Sequence, residues 1–278
     1  MDSAAAQAID FYTHHPISTA IILSKLRAAR RHLDAVRPDE LFAHDQDHYG
    51  GLAANDALAK AARIGAGSCV ADFCAGLGGP ARYLAHHYGA DVTGIELTPV
   101  RVAGAAELTR LVGLSHRVRV IEGNVMDVPL PDNGMDAVVS QEALLHVPDK
   151  GRALAEAYRI LKSGGRLAFT DWTPDARLCA ADADLLWRGM AAQSLQSVAR
   201  YRTLLEGAGF RIIAVDDLTC EWGVILAERL AMYRGLREDA ERAGTPPGHD
   251  AFHESYVRFV ALVQSGELGG ARFTAEKS

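Results

Sequence analysis

The clearest signal in the chain is a change of hydrophobic period. Between residues 68 and 170, short apolar runs alternate with longer segments whose apolar residues recur every three or four positions. The short runs at 68–72, 91–95, 117–122, 136–140 and 166–170 read as strands, and those at 80–88, 99–112 and 149–161 as helices. In the last helix Leu154, Ala157, Tyr158 and Leu161 share a face, and Gly113 stops the second helix. Near-continuous apolar strands separated by amphipathic helices predict a parallel sheet covered on both faces. The flanks differ. Ile22, Leu26, Ala29, Leu33 and Val36 predict a helix over 17–36 that Pro38 ends. HDQDHYGG, at 44–51, reads as a polar loop, and 52–62 as an alanine-rich helix stopped by Gly65 and Gly67. Beyond Thr173 come helices at 176–196 and 198–207, a strand at 210–216, and helices at 224–242 and 251–264 parted by AGTPPGHD. ARFTAEK alternates weakly and fits a return to the sheet edge. The expectation is an α/β fold: a mostly parallel seven-stranded sheet, helices on both faces and a helical cap. Residues 65–175 form its ligand-binding core, 1–64 the leading helices and a lid loop, 176–207 a cap insertion, and 208–278 the rest of the sheet with further cap helices.

Bulk properties narrow the function. At 278 residues and 49% hydrophobic, the chain can bury one core and an accessory layer. The net charge of −6 comes with dispersed basic residues, apart from Arg27, Arg30 and Arg31, so nucleic acid is excluded as a partner. No apolar run is long enough for a membrane helix, and MDSAAAQAIDFY lacks the features of a secretory signal. Cys69, Cys74, Cys179 and Cys220 show no metal-binding spacing. A cytoplasmic setting is expected, with a small molecule as partner and a homodimer left open.

The stretch VADFCAGLGGPARYLA passes from strand to helix through a glycine cluster. Glycines there let backbone approach a ligand closely, and Pro80 suits a helix's first turn. Gly76-x-Gly78-x-x-Ala81 also satisfies a dinucleotide fingerprint, which leaves a nicotinamide-dependent oxidoreductase as an alternative. Asp72 argues against it, because a carboxylate four positions before Gly76 would repel a pyrophosphate and suits a cationic ligand. Glu96, ending GIEL, is placed to grip two ribose hydroxyls, and Asn124 in EGNVMDVPLP to meet an adenine edge, with Val125 or Met126 against the ring. Core packing is an equally good reading of Met126.

These segments, with MDAVVSQEALLHVPDK and ILKSGGRLAFTDW, resemble the class I S-adenosylmethionine-dependent methyltransferases in order and spacing over 66–173. The resemblance implies a Rossmann-like fold and S-adenosylmethionine as cofactor. It implies a cofactor site of Asp72, Ala75, Gly76, Gly78, Glu96, Leu97, Asn124, Val125, Met126 and Gln141. Ser163 stands where the family often has proline, and Asn124 where it often has aspartate.

The acceptor side rests on SQEALLHVPDK and FTDW. His146 is the best general base, since imidazole is neutral near physiological pH; a backbone-bonded histidine at a helix end is the other reading. Glu142 could accept from an ammonium or orient the imidazole, and Asp171 could hold His146 in one tautomer. His44 and His48 have i, i+4 spacing, but no third ligand stands out, so no metal is expected. The lid reading puts Gln46, His48 and Tyr49 inward with Trp172 on the substrate. The DQDHYGG loop, SQEALLHVPDK, FTDW and MAAQSLQSVARYRTLLEGAGF resemble the branch of sarcosine/dimethylglycine and phosphoethanolamine N-methyltransferases and related bacterial natural-product methyltransferases. Gln141 replaces a basic residue of the phosphobase enzymes. Methylation of an amine is therefore expected, with oxygen or carbon acceptors as alternatives.

Overall fold

The computed structural model describes residues 3–15, 17–29, 32–242 and 250–278. Arg30, Arg31 and most of the AGTPPGHD loop lie outside the described residues. The sheet is built from β1 (Cys69–Phe73), β2 (Asp91–Glu96), β3 (Val118–Glu122), β4 (Met135–Gln141), β5 (Leu161–Pro174), β6 (Phe210–Asp217) and β7 (Leu268–Lys277). Its order is β3-β2-β1-β4-β5-β7-β6. The first five strands pair in parallel, and β7 runs antiparallel to both β5 and β6. This is the Rossmann-like, mostly parallel arrangement expected. Strand order reverses between β1 and β4, and a ligand is received beyond the carboxyl ends of the strands at such a point. Asp72, Glu96, Gln141 and Trp172 all come to that edge.

Helices complete the layers: α1 (Ser3–Thr13), α2 (Thr19–Ala29), α3 (Pro38–Phe42), α4 (Gly51–Ala61), α5 (Gly79–Tyr88), α6 (Pro99–Leu111), α7 (Lys150–Ile160), α8 (Ala180–Met190), α9 (Val198–Gly207), α10 (Thr219–Arg242) and α11 (Asp250–Gln264). One face of the sheet is packed by Leu58, Leu84 and Leu108 from α4, α5 and α6, with Ile22 and Leu26 from α2. Leu154 and Ile160 of α7, with Tyr201 and Leu205 of α9, cover the other. A third apolar cluster lies beyond the strand ends, where Leu186 of α8, Trp222 and Leu226 of α10 and Phe259 of α11 meet Tyr49 and Trp172. Among the described residues no helix is long and apolar enough to cross a membrane.

Several expected boundaries move. Of the expected 17–36 helix, Thr19–Ala29 is helical and 32–36 is not, and Pro38 opens α3 instead of ending a helix, because its missing N–H is harmless at the first position. Within 176–196 only 180–190 is helical, and Ala191 follows at φ 51°. The fifth strand extends past Thr170 to Pro174 because β7 pairs with it from Arg166 through Pro174. ARFTAEK does not return to an edge; β7 fills the space between β5 and β6, and β6 is the edge strand. The segment reads weakly because Arg272, Thr274 and Glu276 alternate with its apolar residues, and Gly269 and Gly270 hide the strand's start at Leu268. A side chain at Gly270 would overlap the Trp222 ring.

Candidate active site

The strand-to-helix turn after β1 is shaped by backbone that only certain residues adopt easily. Gly76 and Gly78 have φ 54° and 76°, and Cys74 stands at φ 59°. Gly78 turns away from the cavity; a side chain there would meet Arg82, Val120 and Ala105. Its expected role as a cofactor contact therefore gives way to one as the helix N-cap. Gly79 has a different constraint. A side chain on it would run into the Asp45 carbonyl oxygen, so its smallness is what lets the 44–50 loop lie against the start of α5. The loop is fastened there by a fully buried ion pair. Arg82 donates from Nε and Nη2 to Asp45 Oδ2 at 3.2 and 2.9 Å, and from Nη1 to Thr109 Oγ1 at 3.1 Å.

One cavity opens at this edge. It is lined by Asp72, Ala75, Gly76, Glu96, Leu97, Asn124, Val125, Met126 and Gln141 on the side of the glycine turn, and by His48, Tyr49, Glu142, His146 and Trp172 on the cap side. Asp72 is buried and its Oδ2 has no hydrogen-bond partner. Burial and the neighbouring Glu96 charge raise its carboxyl to about 7. Glu96 is held rigidly: its two oxygens accept from the N–H groups of Gly76 and Thr98, each at 2.8 Å. A ribose grip would use its remaining lone pairs. Asn124 Oδ1 accepts from Met126 N–H at 2.9 Å, which folds the turn against the cavity.

On the cap side, His146 closes the short 3-10 turn Leu144–His146 and is enclosed. Its Nδ1 donates to the Ala191 carbonyl at 2.9 Å, which fixes the tautomer and leaves Nε2 to accept from the Tyr12 hydroxyl at 2.7 Å. Burial lowers the imidazole to about 4, so it is neutral at ordinary pH. Burial holds the Tyr12 phenol far above its usual range, so Tyr12 stays a donor. Glu142 has φ 43°, a conformation costly for a residue with a β-carbon. That backbone turns its carboxylate to accept from Thr170 Oγ1 at 2.5 Å and Tyr49 N–H at 2.7 Å. Burial still raises it to about 7. Trp172 stacks on Phe259 with centroids 4.0 Å apart, and its indole N–H is buried without a partner.

Besides Gly78, two expected residues fall outside the cavity. Asp171 is fully buried behind it, accepting from Leu145 N–H at 3.2 Å and from the Tyr201 hydroxyl. It cannot set the His146 tautomer, because the Ala191 carbonyl already does. It braces the turn carrying His146 instead. Gln46 points back into the loop, donating to Asp45 and accepting from Asn55 Nδ2 at 2.7 Å, with His48 Nε2 2.9 Å away. His48 is buried and lowered to about 4, and does not meet His44 in a metal cluster among the described residues.

Other lining residues were not singled out in the sequence. Phe11, Tyr12 and His15 come from α1 and its C-terminal extension, Arg101 from α6, Arg229 from α10 and Tyr256 from α11. Arg101 lies over the Tyr12 ring at 4.5 Å and pairs with Asp47 at 3.3 Å. Arg229 donates to the His48 carbonyl at 2.7 Å and covers the Tyr49 ring at 5.0 Å. The edge is thus of mixed charge, not simply acidic.

Residues 71–169 match the family described as a methyltransferase domain. Over 152 residues, 54% of the chain, the sequence is 38% identical to a glycine/sarcosine/dimethylglycine N-methyltransferase of Actinopolyspora halophila, covering 26% of that protein. Over 187 residues, 64% of the chain, it is 29% identical to a sterol 24-C-methyltransferase of Aspergillus fumigatus, covering 49% of it. The matches thus span about a quarter and about half of those proteins. The fold also matches a putative sarcosine dimethylglycine methyltransferase of Galdieria sulphuraria, with TM-score 0.73 and 20% identity over 100% of this chain and 99% of that one. With its glycine turn, paired acids and strand order, the Rossmann-like chain is similar over residues 71–169 to a methyltransferase domain.

Proposed function

We propose that the protein is an S-adenosylmethionine-dependent methyltransferase acting on a small molecule, and that its acceptor is an amine. The observation that carries the cofactor reading is Asp72 Oδ2, a buried carboxylate oxygen with no partner at the mouth of the glycine turn. Leaving such a group unpaired is costly, and the ammonium of a methionine moiety meets that need. A pyrophosphate would not. Glu96 then suits the ribose, and Asn124, Val125 and Met126 the adenine. When bound, the cofactor supplies an electrophilic methyl on a positively charged sulfur. The protein's own part is to align the acceptor in a dry site and to manage its proton.

For that proton the arrangement offers two groups. His146 is neutral, with Nδ1–H tied to Ala191 and Nε2 directed at the Tyr12 hydroxyl; if Tyr12 turns to an acceptor, Nε2 is released to take a proton. Glu142, near 7, faces the same cavity beside Tyr49 and can hold an ammonium in its charged form. Aromatic faces such as Tyr49 and Trp172 add cation–π attraction for a methylated ammonium, about 0.5–2 kcal/mol each. The relatives include both nitrogen and carbon methyltransferases, so the acceptor atom is the point to test. Labelled-methyl transfer should be screened across amines, phenols and isoprenoid alkenes. Turnover of an amine, reduced about 100-fold or more by His146→Ala with cofactor affinity kept, supports the proposal. Turnover confined to carbon acceptors overturns its amine part; calorimetric binding of NADH in place of S-adenosylhomocysteine overturns the whole.

A further inference from the structure

Away from the cavity, three metal-ligating side chains meet on the surface where α3 packs against the end of α5. His86 and His87 stand in the last turn of α5, and Asp39 in the first turn of α3. The Nε2 atoms of the two imidazoles lie 3.5 and 3.8 Å from the same Asp39 oxygen, and one ligand atom from each of the three falls within 4.8 Å of the others. Ligands 2.0–2.1 Å from a tetrahedral ion stand about 3.3–3.4 Å apart. The two His–Asp spacings are thus within a few tenths of an ångström of that of a bound ion.

We propose that Asp39, His86 and His87 form a divalent transition-metal site, with zinc as its best-matched ion and water completing the coordination. Two imidazoles and one carboxylate are the borderline donors that zinc and its neighbours prefer over calcium or magnesium. The imidazoles are held in place. The Phe42 ring lies 5.9 Å from His86 and 5.7 Å from His87, and Tyr83 packs on His87 at 4.4 Å. The site also sits at the carbonyl end of α5, where the helix dipole favours a cation. An ion there staples α3 to α5 four residues before the 43–50 segment begins. This reading is independent of the methyl-transfer proposal, because none of its three residues lines the cavity.

The same contacts also form as simple ion pairs with protonated imidazoles, and stoichiometry separates the two. Tag-free protein, stripped with chelator and then freed of it, is titrated with zinc chloride by calorimetry. One equivalent is taken up by the wild type and by His116→Ala, a histidine elsewhere on the surface. Affinity falls about tenfold or more in Asp39→Asn, His86→Ala and His87→Ala, and uptake is lost in the double histidine variant. Zinc raises the melting temperature of the wild type and not of the double variant, which melts like the wild type in chelator. No stoichiometric uptake by the wild type, or undiminished uptake by the double variant, overturns the proposal.

Discussion

Asp72 concentrates the chemistry of the site in one side chain. Its carboxyl, raised to about 7, is largely protonated in slightly acidic solution. A ligand ammonium requires the ionised form, so binding must expel the proton. Calorimetric affinity for S-adenosylhomocysteine should weaken up to tenfold per unit as pH falls below 7, and Asp72→Asn should remove both the affinity and its pH dependence. Stability of the ligand-free protein runs the other way. A carboxyl with a raised folded value contributes fully below its unfolded value near 4 and loses that contribution as pH rises through 7. Asp72→Asn should therefore flatten the decline in urea stability between pH 4 and 8. His146 and Asp171 show how far such roles can be read from a chain. The sequence places both at the same sheet edge, since each follows an apolar strand. Which of them faces the cavity depends on Tyr201 and Ala191, contributed by segments 30 and 45 residues away from their respective partners.

At the level of elements, the seams between helices and strands matter more than the elements themselves. The alternation over 68–170 was legible because β1, β2, β4 and β5 are largely buried on both faces, with amphipathic helices between them. In the cap the helices were legible but their packing was not, because they pack on one another and on single aromatic residues, without a repeating partner. Gly79 sits at the most demanding seam. Gly79→Ala should push the Asp45 carbonyl off α5, strain the buried Arg82–Asp45 pair and destabilise the fold by about 1–3 kcal/mol. Because the displaced loop leads to His48 and Tyr49, affinity for S-adenosylhomocysteine should fall as well. Denaturant midpoints and calorimetry on one preparation check both effects. An unchanged midpoint would mean that the loop yields without cost.

For the molecule as a whole, the cavity is assembled from pieces far apart in sequence: α1, the 44–50 loop, five strand ends, α6, α10 and α11. The strand ends are ordered by topology, so Asp72, Glu96, Asn124 and Gln141 can be anticipated together. Tyr12, Arg101 and Arg229 arrive by tertiary packing alone, and nothing in their local sequence announces it. The methyltransferase-domain match over residues 71–169 spans the strand ends of the site and none of α1, α10 or α11. This explains why the methyltransferase domain is plain while the acceptor is a matter for assay.

The position of β7 sets a condition on how this protein can be made. During synthesis, β5 emerges roughly a hundred residues, and β6 roughly fifty, before the strand that must lie between them. Until residues 268–277 leave the ribosome, the parallel part of the sheet ends in the bare, hydrogen-bond-hungry rim of β5, an open template for strands of other nascent chains. A chain stopped after Gly266 should accumulate as inclusion bodies, and supplying 267–278 as a separate peptide during refolding should rescue it. Soluble, ligand-binding protein from the shortened gene alone would mean that the rim is shielded in some other way.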